Sequence, residues 1–430
     1  MSGPTATAVI AGLLLLAAAG ASAPPPTARR PARYLVLTLP VGPSHTFVLS
    51  RLARELADRH ADVWLAATAI TADLATTTAG PRVRLLDVPL APHNGILQAA
   101  QLWVDSWRAR LGSVWLLGPF SRALAAEAEA VLGIGTFMVA ATALAPDVVI
   151  GEPFDRRSAA LAHALGAPLV LVNAGPPIAA MPEFERVGVV GTLVDRPAMA
   201  TGWTPPLGYG LRLANAGLHT LTRALLWAEA EWAWGRLYRR HSMPYGGSKE
   251  SLVIINADFA LEWHMNLPPH VLVPGPLLPE PGSPLPADLA SFVAPGAARG
   301  GPVVFASLGS SFTRGPDWAA QLVDELQAAL PDARLLLKFT AAELGDAAVA
   351  ALPPRVKAVR WAPQNDLLGS GRVDLFITHG GANSVLESAY HGVPVVVMPA
   401  GAEQPGGAGG REAGGGAWWF GEARDRQGAG

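Results

Sequence analysis

The 430-residue chain contains no cysteine. A disulfide framework, a thiolate metal site and a cysteine nucleophile are therefore all excluded, and the compartment has to be read from other features. Charge is also sparse, at 15% of residues, with a formal net charge of −2. Neutralising a nucleic-acid backbone takes clustered Lys and Arg, so a small ligand is expected and a nucleic acid is not. After residue 24 no stretch reaches the roughly 18 charge-free apolar residues that a membrane span requires.

What the chain has in quantity is apolar residues, 50% of the total. With this length they predict two globular domains, each with a core of its own. Ala6 to Ala23 carries no charge, is apolar around Leu13 to Leu16 and ends Ala21-Ser22-Ala23. That pattern reads as a secretory signal peptide over residues 1–23, and hence as entry to the endoplasmic reticulum lumen or secretion. An Ala-rich leader or an organelle transit peptide is the alternative.

Residues 24–274 read as a first Rossmann-like domain. Tyr34 to Leu39 is a continuous apolar run of strand length, followed by a Pro-Val-Gly-Pro-Ser-His45 loop and a helix from Thr46 to His60. Asp62 to Ala67 completes a βαβ unit of a parallel sheet. A dinucleotide-binding enzyme would show G-x-G-x-x-G in that loop, yet only Gly42 is there, which demotes a hydride-transfer enzyme. Pro146 to Glu152, a helix from Arg156 to Leu165 and Ala167 to Asn173 form a second βαβ unit. His45 and Glu152 both fall at carboxyl ends of strands, where open α/β sheets place their ligands. For Glu152 the competing reading is an acid that interacts with a helix N-terminus. The Trp-rich stretch Gly202 to Arg240 fits a core helix pair, a wall for an apolar acceptor or a peripheral membrane contact.

Residues 275–301, dense in Pro and Gly, read as a linker, and residues 302–404 as a second doubly wound domain. Two such domains make a cleft, a common ligand site. Within the second, Phe376-Ile-Thr-His-Gly-Gly-Ala-Asn-Ser384 ends a buried strand, turns on two glycines and starts a helix. Unpaired N–H groups and the helix dipole suit a diphosphate there, with His379, Asn383 and Ser384 as further donors. Glu387 shares a helix face with Asn383 and can accept from ribose hydroxyls. The alternative is a capping box, since Ser384-Val-Leu-Glu387 fits S/T-x-x-E. His379 and His391 lack metal-ligand spacing and an acidic cluster, so no metal is expected.

Trp361-Ala-Pro-Gln-Asn-Asp-Leu-Leu-Gly369, Phe376-Ile-Thr-His-Gly-Gly-Ala-Asn-Ser384 and Tyr390-His-Gly-Val-Pro394 together resemble the signature of the UDP-glycosyltransferases, particularly the animal-type UDP-glucuronosyltransferases. The resemblance implies an α/β GT-B fold, two Rossmann-like domains facing across a cleft, with the donor in the second and the acceptor in the first. By the same likeness Trp361 stacks on uracil and Gln364 bonds the nucleoside. Ser310, His379, Gly381, Asn383 and Ser384 hold the diphosphate, and Glu387 the ribose. Glu403 and Gln404 hold the sugar, where the family has Asp-Gln. His45 becomes the general base and Glu152 its orienting acid, where family members have Asp. The implied reaction is inverting transfer of a hexosyl or glucuronosyl group from UDP-glucose or UDP-glucuronate to a small lipophilic acceptor. No Asp-x-Asp occurs in the sequence, so a metal-bridged diphosphate is not expected, and the UDP-sugar is a substrate and not a cofactor.

Residues 405–430, rich in Gly, read as a disordered tail. The second domain then looks incomplete beside the family, and a catalytically impaired UDP-sugar-binding relative is the competing expectation.

Overall fold

The protein is described by a computed structural model over residues 30–39, 43–88, 117–133, 135–153, 155–175, 203, 207–243, 252–257, 267, 269–277, 282–294, 301–309, 316–339, 345–398 and 417–419. The chain divides into two compact units: Met1–Ala198 with Pro205–Leu277, and Met199–Thr204 with Leu278–Gly430.

The first unit is built on a seven-stranded parallel sheet with strands β1 (Arg33–Leu37), β2 (Asp62–Thr68), β3 (Arg84–Val88), β4 (Val148–Gly151), β5 (Leu169–Asn173), β6 (Leu252–Ile255) and β7 (Val271–Leu272). Their order is β3-β2-β1-β4-β5-β6-β7. Helices α1 (Pro43–Asp58), α2 (Ala72–Ala79), α3 (Leu117–Gly133), α4 (Gly135–Leu144), α5 (Arg157–Leu165) and α6 (Tyr209–Arg240) accompany it. The central strands are unbroken Val, Leu and Ile runs because strands covered on both faces have no solvent side to serve. Leu35, Leu37, Val149, Leu171, Val253 and Ile255 share one core cluster with Phe137 of α4 and Leu161 of α5. Val48, Leu49, Leu52 and Leu56 of α1 are equally buried.

Chain order reverses between β1 and β4, which pair from Tyr34↔Val148 to Val36↔Ile150. At such a switch point the connections leave in opposite directions and open a crevice at the strands' carboxyl ends. The β1 and β4 exits lead to His45 and Glu152.

The second unit repeats this plan with six parallel strands in the order β10-β9-β8-β11-β12-β13. They are β8 (Val303–Ser307), β9 (Arg334–Lys338), β10 (Val356–Val359), β11 (Leu375–Thr378), β12 (Val395–Val397) and β13 (Ala417–Trp419). Its helices are α7 (Ala287–Val293), α8 (Pro316–Ala329), α9 (Asp346–Ala350), α10 (Gln364–Gly369) and α11 (Ala382–His391). Phe305 and Phe376, on neighbouring strands, stack with ring centroids 5.1 Å apart inside a cluster with Leu289, Val293, Leu367 and Leu368. The switch point lies between β8 and β11, so the glycine turn after Thr378 occupies the same topological position as the His45 and Glu152 exits in the first unit.

Several sequence expectations are corrected. His45 is not in a loop: α1 starts at Pro43, as proline suits a first helical turn where its missing N–H costs nothing, and His45 is in that turn. β3, absent from the sequence expectations, is an exposed edge strand, RLLDV, with no long apolar run. The 202–240 stretch supplies one helix of 32 residues and not a pair. Its second half packs Trp234, Leu237 and Tyr238 against Leu124 and Ala128 of α3, while Tyr209, Leu213, Leu221 and Trp232 are exposed. The 275–301 linker contains α7, whose Leu289 and Val293 are buried. In the 405–430 tail Ala417–Trp419 runs parallel to β12, Val395 opposite Ala417, because the strand lies in the one apolar run, Ala-Trp-Trp-Phe, amid the glycines. The leader over 1–23 lies outside the described residues. Among the described residues no single helix is long and apolar enough to cross a membrane.

Candidate active site

In the first unit His45 Nδ1 meets Glu152 Oε1 at 2.8 Å, between residues 107 positions apart. The carboxylate is fully buried, whereas the imidazole is 27% exposed. A carboxylate accepts only, so Nδ1 carries the proton and donates, leaving Nε2 as the basic nitrogen. Glu152 Oε1 also accepts from the backbone N–H of Ala174, 3.1 Å away at the end of β5. The carboxylate is therefore held from the first turn of α1 and from the end of β5, with the geometry of a group that orients a histidine and stabilises the imidazolium formed when it takes a proton. The helix-terminal reading of Glu152 is displaced, because its contacts are to the His45 ring and the Ala174 amide.

Behind the pair is a second buried set that the sequence reading missed. Arg157 Nε donates to Asp155 Oδ1 at 2.8 Å and Nη2 to Asp155 Oδ2 at 2.5 Å. Nη2 also reaches the carbonyl of Thr38, 2.9 Å away at the end of β1. Two charges two residues apart at a helix start carry no periodic signal, so nothing in the sequence alone sets them apart from a solvated pair.

In the second unit the glycine turn after β11 encloses His379. A Cβ added to Gly381 would lie 2.5 Å from His379 Nε2, and one on Gly309, after β8, 2.7 Å from its Cε1. The ring thus sits between two backbones that only glycine brings this close, and Gly309 has φ +89°, which glycine adopts without strain. Burial, assisted by the Lys338 ammonium, holds His379 down to about 4. It is neutral at physiological pH and presents an N–H as a neutral donor.

Gln364, first residue of α10, donates through Nε2 to Ser384 Oγ at 3.0 Å and to Glu387 Oε2 at 2.6 Å. Burial and, secondarily, the Asp366 charge push the Glu387 carboxyl up to about 7, although Gln364 and Lys338 pull the other way. The capping-box reading of Ser384 and Glu387 is overturned. α11 starts at Ala382 with Gly381 as its N-cap and no side-chain cap, so Ser384 lies inside the first turn and Glu387 a turn further, both facing Gln364. Gly381 places no capping side chain over the first turn of α11. Trp361 lies just before α10 and is 68% exposed, as an aromatic platform for a flat ligand has to be. His391 is engaged elsewhere, with Asn365 Oδ1 at 3.0 Å. Ser310, Glu403 and Gln404 lie outside the described residues.

The family described as UDP-glucoronosyl and UDP-glucosyl transferase matches residues 35–419. The chain belongs to this family. It is 28% identical over 269 residues to 2-hydroxyacylsphingosine 1-beta-galactosyltransferase of Mus musculus, covering 59% of this chain and 46% of that protein. To UDP-glucuronosyltransferase 3A2 of Mus musculus it is 36% identical over 160 residues, covering 36% of this chain and 29% of the other. The chain spans less than half the length of these curated relatives. Among solved structures, the glycosyltransferase SnogD from Streptomyces nogalater matches with a TM-score of 0.57 at 21% identity, over 91% of this chain and 87% of that one. The glycotransferase of kitacinnamycin matches with a TM-score of 0.57 at 20% identity, over 92% and 87%. These likenesses are of fold, which is the GT-B class of two Rossmann-like α/β units.

Proposed function

We propose that the protein transfers a hexosyl or glucuronosyl group from a UDP-sugar to a hydroxyl of a small lipophilic acceptor, with His45 as general base. The observation that carries this reading is the 2.8 Å contact between the partly exposed His45 ring and the buried Glu152 carboxylate at the switch point of the first sheet, in a chain of this family.

His45 Nε2 takes the acceptor's hydroxyl proton as that oxygen forms a bond to the anomeric carbon. The bond from that carbon to the diphosphate breaks, UDP leaves with the electron pair, and the imidazolium is held by Glu152. One in-line displacement inverts the anomeric configuration. General-base catalysis supplies about 10² to 10⁴ in rate.

Trp361 stacks on uracil in this reading, Gln364 and Glu387 address the nucleoside, and the α11 start with His379, Asn383 and Ser384 holds the diphosphate. Ser310, Glu403 and Gln404 complete the donor contacts. Leaving-group charge is met by helix amides and neutral donors, so turnover needs no metal and survives a chelator. In this reading the Ala6 to Ala23 stretch directs the protein into the secretory pathway. Exposed Trp232, Tyr209 and Leu213 on α6, followed by Arg239 and Arg240, fit a peripheral membrane contact, which vesicle flotation tests separately.

The test is titration of UDP into the full chain, then acceptor-dependent UDP release with UDP-glucose, UDP-galactose and UDP-glucuronate. Release with one donor supports the transferase. UDP binding without release for any donor supports a sugar-nucleotide-binding relative without turnover. Absence of UDP binding overturns both.

A further inference from the structure

The buried Asp155–Arg157 pair calls for an account of its own. Arg157 is 1% exposed and Asp155 0%. Burying two charges costs several kcal/mol each, and well-packed apolar residues in their place are commonly as stable or more so. This pair carries an added cost, because Arg157 Nη1 and, nearby in the chain, Glu152 Oε2 are buried with no hydrogen-bond partner among the described residues. Stability alone does not explain it.

Its connections point elsewhere. The turn after β4 is tight: Asp155 N–H donates to the Glu152 carbonyl at 3.0 Å, and Ser158 donates to the Asp155 carbonyl through N–H at 3.2 Å and through Oγ at 2.8 Å. Gly151 lets α5 come down on the strand end, since a Cβ there would lie 2.2 Å from Ser158 Cβ. From this turn Arg157 reaches across to the Thr38 carbonyl. Thr38 is itself fixed to β2, its N–H donating to the Ala66 carbonyl at 3.0 Å. The β1–β4 ladder has its last paired residues at Val36 and Ile150. Beyond that rung the two strands part, one toward His45 and the other toward Glu152. Arg157 therefore makes a polar cross-link between the two exits just past the ladder's end, and the His45–Glu152 separation depends on how those exits are held.

We propose that Arg157, braced by Asp155, is a positioning residue for the His45–Glu152 pair: it staples the turn that carries Glu152 to the end of the strand that leads to His45. The proposal rests on the reading of that pair as the base and its orienting acid only for its effect on rate. Its effect on geometry stands alone. Arginine suits the task because one rigid fork serves a carboxylate and a carbonyl together, and lysine, a single point donor, does not.

The experiment uses the full chain labelled with ¹⁵N-histidine, with His45 assigned by the signal lost in His45→Ala. In the wild type the neutral His45 ring is protonated at Nδ1. In the apolar double variant Asp155→Leu/Arg157→Met the staple is gone, the hydrogen bond to Glu152 slackens and the ring redistributes toward the Nε2–H form preferred by free imidazole. Arg157→Lys keeps a charge for Asp155 and loses the bond to Thr38, and it shows the same redistribution in lesser degree. If the double variant does not fold, Arg157→Lys decides the matter by itself. Folded variants that keep the wild-type tautomer overturn the proposal, whatever their activity. In turnover, kcat falls about tenfold to a hundredfold with UDP affinity unchanged, as for a misplacement of the order of 1 Å. A tautomer change together with full activity in His45→Ala instead sinks the base reading and leaves the staple standing.

Discussion

Gln364 and Glu387 are joined by a hydrogen bond of 2.6 Å that ties the first residue of α10 to the interior of α11. One amide thereby aligns the two helices that carry Gln364, Asn383, Ser384 and Glu387, and it does so against a carboxyl whose burial favours the neutral form.

The Glu387 carboxyl, pushed up to about 7 from 4.5, sets a pH dependence of definite sign. Between those values the unfolded chain has lost the proton that the folded protein keeps, so this group's contribution to stability falls as pH rises from about 4.5 through about 7. Nucleotide affinity moves the other way, because only the carboxylate accepts from both ribose hydroxyls. UDP titrations from pH 6 to pH 8 should show affinity rising through about 7, and Glu387→Gln should flatten the curve. An affinity independent of pH in the wild type would exclude the ribose role.

Gln364→Ala removes the donor to two buried acceptors. It should cost about 1–3 kcal/mol in a denaturation experiment and weaken UDP binding about tenfold or more. Gln364→Glu places a second acid against Glu387 and pushes that carboxyl higher still, so the pH at which UDP affinity rises should move up.

Gly381→Ala asks whether the close approach to His379 matters. A Cβ there would lie 2.5 Å from Nε2, and displacing the ring should cost about 1–3 kcal/mol of stability as an overpacked site does, together with a loss of UDP affinity. Retained affinity at wild-type stability would show that the ring can move aside freely.

Glu152→Gln keeps an oxygen for the Ala174 N–H and the side-chain length, so the melting temperature should stay close to the wild type. It removes the charge that stabilises the imidazolium, and turnover should fall about a hundredfold or more. Glu152→Asp withdraws the carboxylate by one methylene from a 2.8 Å contact and should also lose turnover, in spite of its chemical likeness.

Much of the architecture was legible because buried parallel strands advertise themselves. Runs such as YLVL, DVVIG and LVLVN have no other stable use, and the α11 limits, Ala382 to His391, follow from the glycines on either side. β3 was not legible, being an edge strand broken by charge, and α7 was hidden among prolines. The tail strand was hidden by the glycines around it. At the candidate sites the sequence supplied residue types and their places at strand ends, but not their partners. Ser384 and Glu387 fit a capping pattern equally well until the helix start at Ala382 moved Ser384 inward, toward Gln364 from 20 positions away. Asp155 and Arg157 look like any surface pair until burial and the reach to Thr38, 119 positions away, are known. Local pattern determines elements, and long-range hydrogen bonds are what it leaves out.

The most direct test of the central claim is a paired measurement on His45→Ala: UDP affinity by titration, and acceptor-dependent UDP release with the preferred donor. Removing the base alone should abolish release and leave UDP affinity at the wild-type value. Release at the wild-type rate, or equal loss of binding and release, would contradict the assignment of His45 as the general base.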